Sequence, residues 1–106
     1  MDKQLVKRLI EATRCRLVVW GEARRVPLDP GEYEPTHKHS ARYGDQPIEL
    51  LFSAYTRFFR HKEWFALEVD GIRVDAPTEL LADLYHAIQS SREQGKKILL
   101  TNLERA

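Results

Sequence analysis

Cysteine is almost missing from this chain: Cys15 is the only one in 106 residues. One thiol excludes a disulfide framework and any zinc finger built on cysteine. Long apolar runs are missing as well. The longest stretch without Asp, Glu, Lys or Arg is the eight residues from Leu84 to Ser91, whereas a membrane helix needs ~20. Charge of one sign is not in excess, since 17 Lys and Arg stand against 16 Asp and Glu for a net charge of +1. That balance argues against a polyanion-coating protein, a membrane-surface peptide or an acidic disordered tail. Near the N-terminus Lys3, Lys7 and Arg8 are followed at once by Glu11 and Arg14, which leaves no signal-peptide core. Repeats and low-complexity tracts are also lacking, so solenoids drop out. The expectation is a cytoplasmic chain with no membrane partner.

What is present is ordinary for a folded domain: 42% apolar and 31% charged residues, enough for one core at this length. The chain reads as a single globular domain over 1–106. Its punctuation is uneven. Pro27, Pro30, Pro35 and Pro47, with Gly31 and Gly44, fall between positions 26 and 47, which predicts a long irregular loop there. Charge is divided too. Residues 1–62 hold 12 basic and 8 acidic groups, and residues 63–106 hold 5 and 8.

Leu5, Val6, Leu9 and Ile10 mark one face of a first helix from Asp2 to Arg14. The β-branched run at 16–20 then suits a strand better than a continued helix. A second helix is expected from Asp45, its cap, to about Lys62. Ile48, Leu51, Phe52, Tyr55, Phe58 and Phe59 fall on one side of it and Arg57 and Arg60 on the other. Asp70-Gly71 separates two apolar segments and predicts a type I′ hairpin, with Val69 opposite Ile72, Leu67 opposite Val74 and Glu68 facing Arg73. A third helix starts near Ala76-Pro77-Thr78 and stops at Gly95, followed by a strand over Ile98–Leu103. The fold class is therefore α+β: three helices on a small, mostly antiparallel sheet, in the order α-β-loop-α-β-β-α-β.

Chemistry-bearing groups are sparse. His37 and His39 would point the same way in an extended segment, as a metal pair requires, yet no third ligand follows at a recognised spacing. Asp83 and His86 could orient an imidazole, but no nucleophile accompanies them. His61 stands alone. Arg14 and Arg16 flank Cys15 and would favour its thiolate, with no partnered histidine nearby. No phosphate loop, nucleophile elbow or His-Glu-x-x-His occurs. No catalytic residue, metal or cofactor is therefore assigned, and the chain is not read as an enzyme.

Binding residues are easier to nominate. Arg24, Arg25, Arg57, Arg60 and Lys62 suit an acidic surface or phosphates. Tyr33 and Tyr43 in the proline-rich stretch, and Trp64 on the outer side of the hairpin, are candidate aromatic contacts. The leading expectation is a small protein-binding or regulatory domain: an adaptor, an inhibitor or immunity-type protein, or a phage- or plasmid-encoded regulator. A homodimer fits the divided charge. The alternatives are a nucleic-acid-binding regulator using the basic N-terminal half, disfavoured by the near-neutral charge, and, third, a metal-dependent enzyme around His37 and His39.

Overall fold

The computed structural model describes residues 3–27, 36–57 and 60–105; for 54–57, 60–62 and 105 it describes the backbone. Helix α1 (Lys3–Arg14) leads into five strands and a long helix: β1 (Arg24–Val26), β2 (Thr36–Tyr43), β3 (Gln46–Arg57), β4 (Arg60–Val69), β5 (Ile72–Val74) and α2 (Thr78–Arg105). The strands form one antiparallel sheet in the order β1-β2-β3-β4-β5. The class is α+β as expected, with two helices rather than three.

α1 forms where its periodicity places it, burying Val6, Leu9, Ile10 and Thr13. It ends in a Schellman arrangement: the Leu17 amide bonds to the Ala12 carbonyl at 2.8 Å, and the Arg16 amide to Thr13 at 3.1 Å. Arg16 takes the left-handed position with φ 61°, a place where glycine is usual. Residues 16–20 are thus a capped turn and not the expected strand. Val18 and Trp20 are buried there, and the Trp20 indole donates to Thr13 Oγ1 at 3.0 Å. That bond ties the segment down without any ladder.

The second expected helix is absent. Residues 46–57 and 60–69 are instead the two longest strands, while Phe58 and Phe59 lie outside the described residues. The apolar residues permit both readings. Ile48, Leu51 and Phe52 fit a helical face, but Ile48, Leu50 and Phe52 also alternate, and short apolar runs are ambiguous between the two periods. Packing decides for the sheet: Ile48 and Leu50 are 1% and 0% exposed, whereas Leu51 is only half-buried. Asp45 is not a cap. It is the second residue of a Gly44-Asp45 turn between the paired Tyr43 and Gln46, and Gly44, at φ 65°, takes the first position of a type II′ hairpin. Pro47 pairs with Arg42 beside that closing pair, a position without ladder bonds to β2, so its missing amide is harmless. The expected irregular loop over 26–47 is likewise largely replaced, by β2 and this turn.

The Asp70-Gly71 hairpin has the expected register: Val69 opposite Ile72, Glu68 opposite Arg73, Leu67 opposite Val74. Asp70 and Gly71 have φ of 52° and 79°, the two positive values of a type I′ turn. Ile72, expected to face the helices, is 71% exposed, because the helical cover does not reach that end of the hairpin. A Cβ at Gly71 meets nothing within 4 Å. Gly71→Ala is therefore expected to carry only the backbone penalty of a left-handed residue, ~1–2 kcal/mol. Urea unfolding measures it, and unchanged stability would contradict the turn type.

The third helix does not stop at Gly95. α2 continues to Arg105 and absorbs the segment expected as a final strand. One interior glycine weakens a helix by only ~1 kcal/mol relative to alanine, and the lysines and leucines after it are good helix formers. A Cβ at position 95 would lie 2.8 Å from Arg16 Nη2, the far end of a flexible side chain that can move aside. α1 packs along α2, and α2 crosses the sheet over β4. The core between them contains Leu9, Ile48, Leu50, Leu67, Leu84 and Ile88. α2, with α1 packed along it, thus covers one face of the sheet, and no described helix covers the other.

Candidate functional site

Strand alternation sorts the side chains. His37, His39, Ile48, Leu50, Phe65 and Leu67 belong to the helix-side face. The open face carries Arg24 on β1, Lys38 and Ser40 on β2, Glu49 and Leu51 on β3, Trp64, Ala66 and Glu68 on β4, and Arg73 on β5. Glu49 and Glu68 lie directly opposite one another, a repulsive pairing unless each has a cation. Each has one: Lys38 Nζ lies 3.3 Å from Glu49 Oε1, and Arg73 Nη2 lies 3.5 Å from Glu68 Oε2. Exposed pairs of this kind contribute at most ~1 kcal/mol each. Their effect is to fix where charge sits on the face.

Trp64 is the prominent apolar feature here. It is 43% exposed, and the Arg73 guanidinium lies 5.7 Å from its ring centroid, a cation–π arrangement that holds the indole in place. Leu51, half-buried, and Ala66, 3% exposed, pair beside it. Toward β1, Glu22, Arg24, Lys38, Ser40 and Glu49 line a polar recess of about 490 Å³.

Among the described residues, the β3–β4 hairpin continues beyond the sheet as a two-stranded arm. β2 follows β3 only as far as Phe52 and β5 follows β4 no nearer the tip than Leu67, while β3 and β4 stay paired from Ser53–Trp64 to Arg57–Arg60. In the arm Arg57 and Arg60 are register partners, and Lys62, two pairs along, lies opposite Tyr55. The arm's span from Ser53–Trp64 to Arg57–Arg60 is roughly 13 Å.

The nominated residues are only partly brought together. Arg24 joins Lys38 at the recess, Trp64 joins Arg73, and Arg57, Arg60 and Lys62 share the arm, although they do not decorate a helix. Arg25 pairs with His37 and so belongs to the opposite face from Arg24. Tyr43, 38% exposed, lies beside the turn at the far end of β3 from the arm. Tyr33 lies outside the described residues. Lys38 and Glu49 were not singled out from the sequence, because their roles depend on recognising β2 and β3 as strands, whereas Arg73 faces Glu68 as the hairpin register required.

The other candidate chemistries find little geometry. His37 and His39 do point the same way, as an extended segment requires, and both stack on Phe52, at 5.8 and 5.3 Å between centroids. His39 is fully buried, with Nδ1 2.7 Å from the Gly21 carbonyl and Nε2 2.8 Å from Gln89 Nε2. Both ring nitrogens are therefore engaged, leaving no lone pair for a metal. Among the described residues no three His, Cys, Asp or Glu side chains converge. Burial pushes the His39 imidazole below its ordinary value, and the nearby Arg92 charge acts in the same direction. Cys15 is exposed, with its thiol 3.6 Å from Glu11 Oε1. That carboxylate pushes the thiol above its ordinary value, opposite to the effect expected of the flanking arginines. His86 is exposed and packs edge-on against Tyr85 at 5.6 Å; the side chain of His61 lies outside the description.

No family model, known protein or solved structure matches this chain.

Proposed function

We propose that this chain is a small protein-binding module, of adaptor, inhibitor or immunity type, that docks another protein on the open face of its sheet. The observation that carries the reading is Trp64, 43% exposed and backed by Arg73 on a face no described helix covers. A rigid, partly exposed tryptophan flanked by arginine has the composition of an interface anchor. Arg24 and Lys38 at one side, and the basic residues of the arm at the other, favour a partner with an acidic rim around an apolar centre.

The test is affinity capture from cells of the source organism with wild type, Trp64→Ala and Arg57→Glu/Arg60→Glu. A specific protein retained by wild type is expected to bind Trp64→Ala about 30-fold more weakly in titration with the purified components, the size of an anchor loss. Circular dichroism of Trp64→Ala should match wild type, because the side chain is half in solvent. A partner bound equally well by both would overturn the reading.

A second reading, a nucleic-acid regulator, keeps one specific support. A two-stranded ribbon of this kind fits a major groove, and the arm is its basic part. That reading predicts duplex affinity that falls steeply with salt and is lost in Arg57→Glu/Arg60→Glu.

A further inference from the structure

α2 outruns its support. α1 ends at Arg14, the Arg16 side chain crosses α2 at Gly95, and among the described residues no helix lies beside α2 past that point. The overhang is nevertheless apolar: Ile98, Leu99, Leu100 and Leu103 are 53–63% exposed. Leu17 and Val19, 80% and 72% exposed, stand at the end of α1. Val19 and Leu99 share a recess of about 260 Å³ with Arg16, Trp20, Arg92 and Gly95. Helix turns with this much apolar surface in water are poorly self-supporting, because helical stability in proteins comes mostly from packing an apolar face.

From this we infer that α2 overhangs of two copies of the chain pack antiparallel, forming a symmetric homodimer. At 100° per residue Leu99, Leu100 and Leu103 fall within one 100° arc, the width of a helix–helix seam. Lys97 and Glu104 are seven residues apart, so both lie on one flank of that seam. Antiparallel helices bring like flanks together. A two-fold axis near Thr101 therefore packs Leu100 of each copy against Leu103 of the other and brings Lys97 of each copy beside Glu104 of the other. The pattern is self-complementary, as a two-fold interface requires. Within one copy and among the described residues, Lys97 pairs with Glu93 alone, at 3.9 Å and with both side chains largely exposed. This surface is separate from Trp64 and the arm, so the inference does not depend on the proposed function.

Analytical ultracentrifugation of the full chain at micromolar concentrations is expected to show a dimer. Leu100→Asp places two carboxylates beside the axis and is expected to give monomer throughout. Charge reversal gives the sharper result. Lys97→Glu and Glu104→Lys should each weaken the dimer about tenfold, through two like-charged contacts apiece. The double variant Lys97→Glu/Glu104→Lys should restore it. Trp64→Ala should leave the dimer intact. A wild-type monomer, including one whose overhang is covered by a different protein or a lipid surface, overturns the inference. So does a dimer that Leu100→Asp leaves unchanged, or one that the double charge reversal fails to restore.

Discussion

Leu50→Ala is expected to lower the unfolding free energy by ~2–5 kcal/mol, whereas Leu51→Ala should lower it by no more than ~1 kcal/mol. Leu50 is fully buried at the centre of β3, paired with His39 on one side and Leu67 on the other. Truncation there removes both the transfer free energy of the side chain and the packing of its neighbours around the void. Leu51 is half-buried on the open face opposite Ala66, where the site can rehydrate. Adjacent leucines with such unequal effects are the signature of a strand. A helix over 46–62 would reverse the order, since its apolar face contains Leu51 and not Leu50. Urea unfolding of the two variants measures the difference, and equal effects or the reverse order would count against the sheet.

The second large effect concerns His39. Its Nδ1 faces a carbonyl, which can only accept, so Nδ1 carries the proton and Nε2 accepts from the Gln89 amide. Protonating Nε2 would set two donors against each other at 2.8 Å inside the core. The folded-state pKa is lowered from 6.5, so below that value the unfolded chain takes up a proton that the folded chain resists. Stability is therefore flat above the ordinary histidine value and falls as pH drops from there through the folded-state pKa. His39→Phe keeps a ring for Phe52 to stack on but strands the Gly21 carbonyl and the Gln89 side chain. The loss at neutral pH is expected to be ~1–3 kcal/mol for each stranded group. The same variant should lose less on acidification from neutral pH to pH ~5 than wild type, the range in which this imidazole titrates in the unfolded chain. Unfolding curves at several pH values give both numbers. Parallel losses in the two proteins would remove His39 as the source of the acid sensitivity.

Features set by a few adjacent residues were legible in the sequence. Asp70-Gly71 demands two positive φ values wherever it occurs between strands, and α1 shows a single uninterrupted face. The segment 46–57 was not legible, because its apolar residues satisfy the helical and the strand period together, and only burial in the finished core separates them. A local clue existed in Gly44-Asp45, a hairpin dipeptide, but Asp45 also suits a helix cap. Gly95 misled because one glycine costs a helix only ~1 kcal/mol, and α2 runs through it to Arg105. At the site, Trp64 was legible because the hairpin register sends it away from Phe65 and Leu67. Lys38 and Glu49 acquire meaning only once β2 and β3 are side by side, whereas the Glu68–Arg73 pair was already legible in the hairpin. His39 is the extreme case, since its two partners lie 18 and 50 residues away in the chain.

The strand order follows the chain order, so each strand meets its neighbour by closing a short stretch of backbone, at little entropic cost. α2, the cover for this sheet, comes after all five strands. During synthesis from the N-terminus the whole sheet is complete before its lid exists, and Ile48, Leu50, Phe65 and Leu67 then face water or a chaperone. The apolar side is thus protected last, and the rate at which α2 emerges sets how long that side is open to aggregation.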